Sequence, residues 1–377
     1  MTDLSKLPSP CYLLEAAKLR TNLELIDRVQ RESGCTIILA LKGFAMWSVF
    51  PMVRKVLSGC SASSYNEARL ARERFGGHVH LYAPAYTNAE FPELIALSDR
   101  ISFNSLSQWQ RLGEQALTAG ISCGLRVNPR VDEVKTALYN PSGEESRLGI
   151  PREELADGVP AGIEGLHVHA LCECDADSTE RLIAAVEARF GHLLADMKWC
   201  NLGGGHLMTR HGYDVERLIR VLREFRQRHP HLEVVLEPGS AIAWQTGSLI
   251  STVLDIITRG GLRIAILDTS ATAHMPDVLE MPYRAEVRGA AYPGDKPHNY
   301  RLGGMTCLAG DIIGDYSFDD PLQIDDKVIF EDMIHYTMVK TTLFNGVAHP
   351  SIAIAHENGE IEVVRQFGYK DYESRLS

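Results

Sequence analysis

Short apolar runs alternate with amphipathic stretches between about residues 36 and 240. Eight of these runs have the length and composition of buried β-strands, namely 36–41, 57–62, 78–83, 100–103, 123–127, 163–169, 198–202 and 232–237. Between them, stretches such as 64–75 and 213–229 place apolar residues three and four positions apart, which predicts helices. Eight strand-and-helix units favour a (β/α)8 barrel over an open doubly wound sheet.

The pattern changes after about residue 248. Segments rich in β-branched and apolar residues follow, separated by Gly, Pro and Asp and with little helical periodicity, at 248–259, 263–271, 327–333 and 360–367. This pattern predicts a separate β domain, a sandwich or a small barrel. We therefore place the barrel over residues 16–248 and the β domain over residues 249–377; a resemblance described below adds residues 1–15 to the β domain.

Composition narrows the class of protein. The chain is 45% hydrophobic and 23% charged, as is ordinary for soluble globular proteins. No apolar run reaches the roughly 18 residues that cross a membrane, and the N-terminus lacks the features of a signal peptide, so we expect a cytoplasmic location. Eight scattered cysteines without a CxxC pair predict reduced thiols. A net charge of −11 argues against nucleic acid or an anionic membrane as partner and is compatible with a cationic small molecule.

Candidate chemistry lies at the carboxyl ends of the predicted strands, where such barrels carry their active sites. Lys42 follows the first strand and is either a reactive amine at the barrel mouth or the point where the strand reaches water. Gly203, Gly204 and Gly205 follow the seventh strand, and such a run either exposes N–H groups to a phosphate or makes a tight turn with positive φ. Glu237 ends the eighth strand, where it would hold a protonated ring nitrogen or remain solvated.

His169 ends the sixth strand, and strand alternation places His167 on the same face. The pair could bind a metal, as in barrel metallohydrolases, stack on a planar cofactor, or simply form hydrogen bonds. No metal is expected, because Glu237 and three glycines make a poor remaining ligand set. A lysine, an imidazole, a glycine loop and a carboxylate together describe a site for pyridoxal 5'-phosphate, with the lysine as its covalent attachment.

Motifs along the whole chain resemble those of the alanine racemase-like, fold type III pyridoxal-phosphate decarboxylases: ALKGFA, HVHALCE, NLGGGH, LEPGSAIA, GGMTCLAGDIIGDY and EDMIHYTMVKTTLFNG. The resemblance is nearest to the branch that decarboxylates carboxynorspermidine and carboxyspermidine, and so implies a cationic polyamine substrate. It also implies a barrel followed by a β domain that includes the N-terminal segment. It further implies a homodimer in which the partner chain completes each active site.

The resemblance implies roles for individual residues. Lys42 would carry the cofactor, His169 would lie against its ring, and Glu237 would bond the pyridine nitrogen. Gly203 to Gly205 and Tyr336 would hold the phosphate. Cys307 would protonate the product carbon after carbon dioxide leaves. Asp311 and Asp277 would receive amines of the substrate, although Asp277 is alternatively a solvated loop residue.

One position departs from the family pattern. Ornithine and diaminopimelate decarboxylases carry a phosphate-binding arginine soon after Glu-Pro-Gly, where this chain has Ser240-Ala241-Ile242. We expect Ser240 to line the substrate pocket and phosphate binding to depend on the glycine loop and Tyr336. Two alternatives stay open: a fold type III decarboxylase or racemase for diaminopimelate, ornithine or alanine, and a pyridoxal-phosphate carrier without turnover. The β domain with Cys307 and Asp311 argues against the carrier.

Overall fold

The computed structural model describes residues 7–134 and 137–377. The chain forms two compact units. The first, called the barrel, is Asn22–Ile242, and the second, called the β domain, combines the described residues up to Thr21 with Ala243–Ser377. The sequence analysis placed the two boundaries at residues 16 and 248.

In the described part of the chain, nine short parallel strands form the barrel sheet. Strand β1 (Cys11–Glu15) and helix α1 (Ala16–Ser33) precede them in the chain. The nine barrel strands are β2 (Thr36–Ile37), β3 (Leu39–Ala40), β4 (Gly59–Ala62), β5 (His78–Tyr82), β6 (Arg100–Phe103), β7 (Ser122–Val127), β8 (Ile163–Val168), β9 (Trp199–Asn201) and β10 (Glu233–Leu236). The sheet order is β2-β10-β9-β8-β7-β6-β5-β4-β3. Because only Ile38 separates β2 from β3, both edges of the sheet belong to one stretch of chain, and the sheet is nearly closed. The predicted fold class is confirmed, with the first predicted strand divided in two.

The strands are connected through helices α2 (Phe50–Val53), α3 (Tyr65–Leu70), α4 (Phe91–Leu97), α5 (Leu106–Thr118), α6 (Ala176–Leu194) and α7 (Val215–Arg228), and α8 (Ser240–Ala243) follows the last strand. The two helices predicted from periodicity are α3, which continues in a π-helical turn over Ala71–Phe75, and α7. Each begins at a capping side chain: Ser64 Oγ accepts from the Glu67 N–H at 3.3 Å and Asp214 Oδ1 accepts from the Arg217 N–H at 3.0 Å.

Trp199 fills the interior of the barrel near the amino-terminal ends of the strands. It is the first residue of β9 and is 1% exposed. Glycines on β7 and β8 make room for its ring, since a Cβ on Gly124 or Gly165 would lie 2.3 or 2.0 Å from the indole atoms. This packing leaves the opposite, carboxyl-terminal ends of the strands to carry polar side chains.

The β domain is a mixed sheet. Its strands are β1, β11 (Gly247–Arg259), β12 (Leu262–Leu267), β13 (His298–Gly303), β14 (Ile312–Phe318), β15 (Lys327–Glu331), β16 (Ser351–Ala355) and β17 (Ile361–Arg365). Their order is β14-β13-β12-β11-β1-β16-β17, with β15 also paired to β11. The N-terminal strand β1 therefore lies inside this sheet, antiparallel to β11 and parallel to β16. Short helices α9 (Ala271–His274), α10 (Asp277–Glu280), α11 (Tyr336–Val339) and α12 (Tyr369–Glu373) lie between or after the strands.

Candidate active site

Lys42 lies at the carboxyl-terminal end of the barrel strands, two residues after β3. The turn that follows it touches the turn after β10. A Cβ on Gly43 would lie 2.7 Å from the Cα of Gly239, and a Cβ on Gly239 would lie 3.0 Å from the Cα of Gly43. Two glycines are needed for backbones to approach this closely. Their contact holds Lys42 near the strand end that carries Glu237.

The amine of Lys42 is paired with His169, at 3.2 Å from Nε2. The Gly204 N–H donates to Nδ1 of the same ring at 2.9 Å, so the proton of the neutral imidazole is on Nε2 and faces the lysine. Burial lowers the pKa of His169, and the charges of Lys42 and Arg126 lower it further. Loss of hydration, followed by the charge of Arg126, lowers the pKa of Lys42. A lysine amine that loses its proton readily is the form that attacks a carbonyl group.

The glycine loop packs closely against neighbouring strand ends. An added Cβ would meet a carbonyl oxygen at each position, at 2.4 Å for Gly203 (Val168 O), 2.4 Å for Gly204 (Glu237 O) and 2.2 Å for Gly205 (Leu171 O). Gly203 and Gly205 also have positive φ, 72° and 90°. Within the barrel, the Gly203 N–H donates to Asn201 Oδ1 at 2.8 Å, and the Gly204 N–H binds His169. Phosphate binding by this loop stays a prediction, and it would depend mainly on N–H groups after Gly204.

Glu237 follows β10 directly and is 8% exposed. Asn201 Nδ2 donates to its Oε1 at 2.5 Å. The rings of His80 and His167 lie 3.4 and 3.6 Å from its oxygens, but burial lowers the pKa of both rings well below the usual range, so both are neutral. Burial also raises the pKa of Glu237. A buried carboxylate flanked by neutral rings is stabilised when a cation binds beside it.

Sequence reasoning missed several polar side chains of this site. Arg126 on β7 is 4% exposed, stacks on the Tyr82 ring with its guanidinium carbon 4.4 Å from the centroid, and donates to His169 O at 3.0 Å. His80 and Asn201 contact Glu237 or its neighbours, as described above. The sequence did contain a signal, because each of these residues is polar within a run that was assigned to a buried barrel strand.

In the β domain, Cys307 and Asp311 belong to the loop between β13 and β14. Cys307 is an exposed free thiol, and its N–H donates to Asn345 Oδ1 at 2.7 Å. Asp311 is 3% exposed. Its carboxylate accepts hydrogen bonds of 2.6–3.3 Å from Ser270 Oγ, Ala271 N, Thr272 N, Thr306 N and Thr306 Oγ1. As placed, Asp311 joins two loops, and its predicted contact with a substrate amine would require some of these bonds to break.

The remaining predicted residues lie at the first positions of short helices. Asp277 begins α10 and forms an ion pair with Lys340, which also bonds Glu280 at 2.9 Å. With its side chain 17% exposed, Asp277 is not a solvated loop residue; its role as amine acceptor stays a prediction in which the substrate competes with Lys340. Tyr336 begins α11 and is partly buried, and Ser240 begins α8 and is 9% exposed. Their predicted contacts with phosphate and substrate also stay predictions.

Within residues 7–134 and 137–377, no three His, Cys, Asp or Glu side chains are grouped so that they could hold a metal ion. His169 instead bonds Lys42 and Gly204, and His167 packs against the rings of His80 and Tyr82. Over the same described ranges, every helix is too short or too polar to span a membrane.

The barrel site fits pyridoxal 5'-phosphate. The lowered pKa of Lys42 suits covalent attachment of a carbonyl group, and the His169 ring is held in a fixed orientation by Gly204. Glu237 offers a buried negative charge to a protonated ring nitrogen. In the described part of the chain, both ring nitrogens of the buried His167 lack a hydrogen-bond partner. Polar atoms beside Glu237 thus still have unused hydrogen-bonding capacity.

The chain is similar to proteins of known sequence over most of its length. The profile of a family described as "Pyridoxal-dependent decarboxylase, C-terminal sheet domain" matches residues 16–334. A carboxyaminopropylagmatine decarboxylase from Synechocystis sp. is 53% identical over 373 residues, which cover 99% of this chain and 96% of that protein. A carboxynorspermidine/carboxyspermidine decarboxylase from Campylobacter jejuni is 43% identical over 381 residues, which cover 98% of this chain and 99% of that protein.

A solved structure shares the fold across the whole chain. The crystal structure of carboxynorspermidine decarboxylase from Campylobacter jejuni, complexed with norspermidine, matches with a TM-score of 0.91 and 42% identity. The match covers 98% of this chain and 100% of that chain.

Proposed function

Because the chain belongs to the fold type III pyridoxal-dependent decarboxylases, we propose that it decarboxylates a carboxylated polyamine precursor, with carboxyaminopropylagmatine as its preferred substrate. The observation that carries the substrate choice is the 53% identity, over 99% of the chain, to an enzyme named for that activity. The relatives named for carboxynorspermidine and carboxyspermidine are 43% and 39% identical.

The proposed chemistry assigns separate tasks to residues of the barrel. When bound, pyridoxal 5'-phosphate would supply an electron sink for the bond between the α-carbon of the substrate and its carboxylate. Lys42 would hold the cofactor covalently, and the His169 ring would pack against it. Glu237 keeps a proton on the pyridine nitrogen, because that proton gives the buried carboxylate its cationic partner. The loop of Gly203 to Gly205 would hold the phosphate mainly through N–H groups after Gly204, together with Tyr336.

The β domain would supply the proton that completes the reaction. Carbon dioxide leaves, and the thiol of Cys307 gives its proton to the α-carbon and becomes a thiolate. The exposure of this thiol supports the assignment. We further propose a homodimer in which Cys307 of one chain serves the barrel of the other, as the family resemblance implies.

The substrate arm calls for acidic and polar acceptors. Its name shows that carboxyaminopropylagmatine ends in a guanidinium group, a planar fork of donors that carboxylates bind in pairs. Asp277 is our first choice, because its existing pair with Lys340 shows that it binds a cationic nitrogen. Ser240 would line the same path, and Asp311 would serve as a second acceptor. The net charge of −11 favours approach of such a cation.

A second candidate substrate is carboxynorspermidine or carboxyspermidine, which end in an ammonium group. It is favoured by the solved relative complexed with norspermidine, which shares 42% identity and a TM-score of 0.91. The two candidates differ chiefly in whether the distal group is a guanidinium or an ammonium.

The experiment is a comparison of kcat/KM for five compounds: carboxyaminopropylagmatine, carboxynorspermidine, carboxyspermidine, diaminopimelate and ornithine. Carboxyaminopropylagmatine should give the highest value, and the Lys42→Ala variant should release no carbon dioxide from any of them. A higher value for carboxynorspermidine would support the second candidate. A preference for diaminopimelate or ornithine would refute both.

A further inference from the structure

A chain of buried polar side chains extends from Glu237 into the barrel interior. Ser102, His80 and Asn201 lie on β6, β5 and β9, and each is at most 1% exposed. The distances are 2.8 Å from Ser102 Oγ to His80 Nε2, 2.9 Å from His80 Nδ1 to Asn201 Nδ2, and 2.5 Å from Asn201 Nδ2 to Glu237 Oε1. The proposed chemistry uses Glu237 but gives the other three no task.

The chemistry of the Asn201 amide fixes the direction of every bond in this chain. Its nitrogen only donates, so it donates to both Glu237 and His80. Its oxygen accepts from the Gly203 N–H at 2.8 Å. A flipped amide would set oxygen against the Glu237 carboxylate and its NH2 group against the Gly203 N–H, two repulsive contacts. Asn201 therefore has one orientation.

The same argument fixes the proton of His80. Since Nδ1 accepts from Asn201, the ring proton is on Nε2 and is donated to Ser102. The ring of Trp199 packs edge-on against His80 with the centroids 5.1 Å apart, which hinders rotation of the imidazole. Nδ1 lies 3.4 Å from Glu237 Oε1 but has no proton to give it. The charge of Glu237 thus stays available to a cation outside this chain of residues.

We propose that Asn201 is a positioning residue for the cofactor: through one amide it holds Glu237 for the pyridine nitrogen and Gly203 for the phosphate-binding loop, while His80 fixes the orientation of that amide. The proposal depends on the pyridoxal-phosphate site described under the proposed function. A single rigid side chain then sets the distance between the groups that receive the two ends of the cofactor.

Cofactor affinity tests the proposal independently of turnover. The apo-protein is titrated with pyridoxal 5'-phosphate and, separately, with phosphate-free pyridoxal, and binding is followed by absorbance. Asn201→Ala removes both contacts and should weaken pyridoxal 5'-phosphate binding by roughly 10- to 100-fold, the range for lost hydrogen bonds to charged groups. Pyridoxal should lose less affinity, because it makes no use of the phosphate loop.

Asn201→Asp separates the two contacts. It keeps an oxygen that accepts from Gly203 but replaces the donor to Glu237 with a like charge, so the two probes should lose affinity by a similar factor. If the Asn201→Ala protein does not fold, the cofactor affinities of the Asn201→Asp protein alone test the proposal. Asn128→Ala is the control, because Asn128 is also a buried strand-end asparagine (6% exposed) but bonds Arg130, Ser142 and Gly143.

Two results would overturn the proposal. One is affinity within twofold of wild type for both probes in a folded Asn201 variant. The other is an equal loss in Asn128→Ala, which would make the effect general to buried asparagines. Failure of the wild-type protein to bind either probe would instead refute the proposed function, so the two failures are distinguishable.

Discussion

The barrel and the β domain present their predicted site residues in different ways. In the barrel, Lys42, His169 and Glu237 are connected through the glycine loop and Asn201 by hydrogen bonds of 2.5–3.2 Å. These bonds hold the groups in place, and the groups that contact the Glu237 carboxylate in the described part of the chain include an amide and two neutral imidazoles. In the β domain, the carboxylates of Asp311 and Asp277 are already bound by other parts of that domain.

This difference shows which buried carboxylate can gain stability from a bound cation. Glu237 is buried in contact with neutral groups, and a protonated ring nitrogen bound beside it would stabilise its charge. The buried carboxylate of Asp311 accepts hydrogen bonds from many donors, so it is already satisfied and stabilises the fold. The barrel thus fits a bound cofactor, whereas in the β domain the thiol of Cys307 is exposed.

The largest expected effect is that of Lys42→Ala, which should reduce turnover by several orders of magnitude because the covalent attachment is lost. Borohydride reduction of the wild-type holoenzyme should fix the cofactor to the peptide that contains Lys42. Labelling of another lysine would contradict the assignment. Lys198→Ala is the control, since this exposed lysine pairs with Glu164 beside the start of β9, and turnover should be unchanged.

Glu237→Gln should leave cofactor binding largely intact while lowering kcat by roughly 10²- to 10⁴-fold, because a neutral amide no longer favours the protonated pyridine nitrogen. The measurement combines a cofactor titration with steady-state kinetics. Glu233→Gln, at the opposite end of β10 and paired with Arg100, should have kcat close to wild type. Unchanged kcat in Glu237→Gln would remove Glu237 from this role.

Asp311→Ala should lower the free energy of unfolding by about 3 kcal/mol or more, because it leaves several buried donors without an acceptor. Chemical denaturation measures the loss, and Asp277→Ala, which breaks a partly exposed ion pair, should cost about 1 kcal/mol. If Asp311→Ala is as stable as wild type, the carboxylate is not structural and its predicted role as an amine acceptor gains weight.

Mixing Lys42→Ala protein with Cys307→Ala protein tests whether the two regions cooperate across a dimer. Random exchange would make half of the dimers mixed, each with one intact site of two, so activity should return to roughly a quarter of wild type. Subunit exchange is verified with differently tagged chains. Activity that stays at the level of the single variants after exchange would show that the site is not shared.

The smallest effect is expected for Asp277→Ala on substrate binding. KM for carboxyaminopropylagmatine should rise several-fold with kcat little changed, because an acceptor of the distal cation is lost. Diaminopimelate lacks the long arm, so any residual activity on it should be unaffected. A KM equal to that of wild type would leave Asp277 with only its ion pair to Lys340.

The arrangement of the barrel could be predicted from the sequence because strand topology brings strand ends together. Once eight apolar runs are assigned to parallel strands, Lys42, His169, the glycine loop and Glu237 must meet at one end of the barrel. The predicted strands and the two predicted helices are present in the structure. In the β domain the sequence analysis assigned no strand to β1, β13, β14 or β16, and of these β13 and β14 contain glycine and charged residues.

Side-chain bonding between distant residues was decided only by the tertiary structure. The partners of Asp311 come from residues 270–272 and 306, and the pair of Asp277 with Lys340 joins positions 63 residues apart. Asn201 likewise gains its role from Glu237 and His80, which meet it only when the strands of the barrel assemble. Apolar periodicity reports which face of a strand is buried, but a hydrogen bond depends on atomic distance and direction, and folding alone sets these.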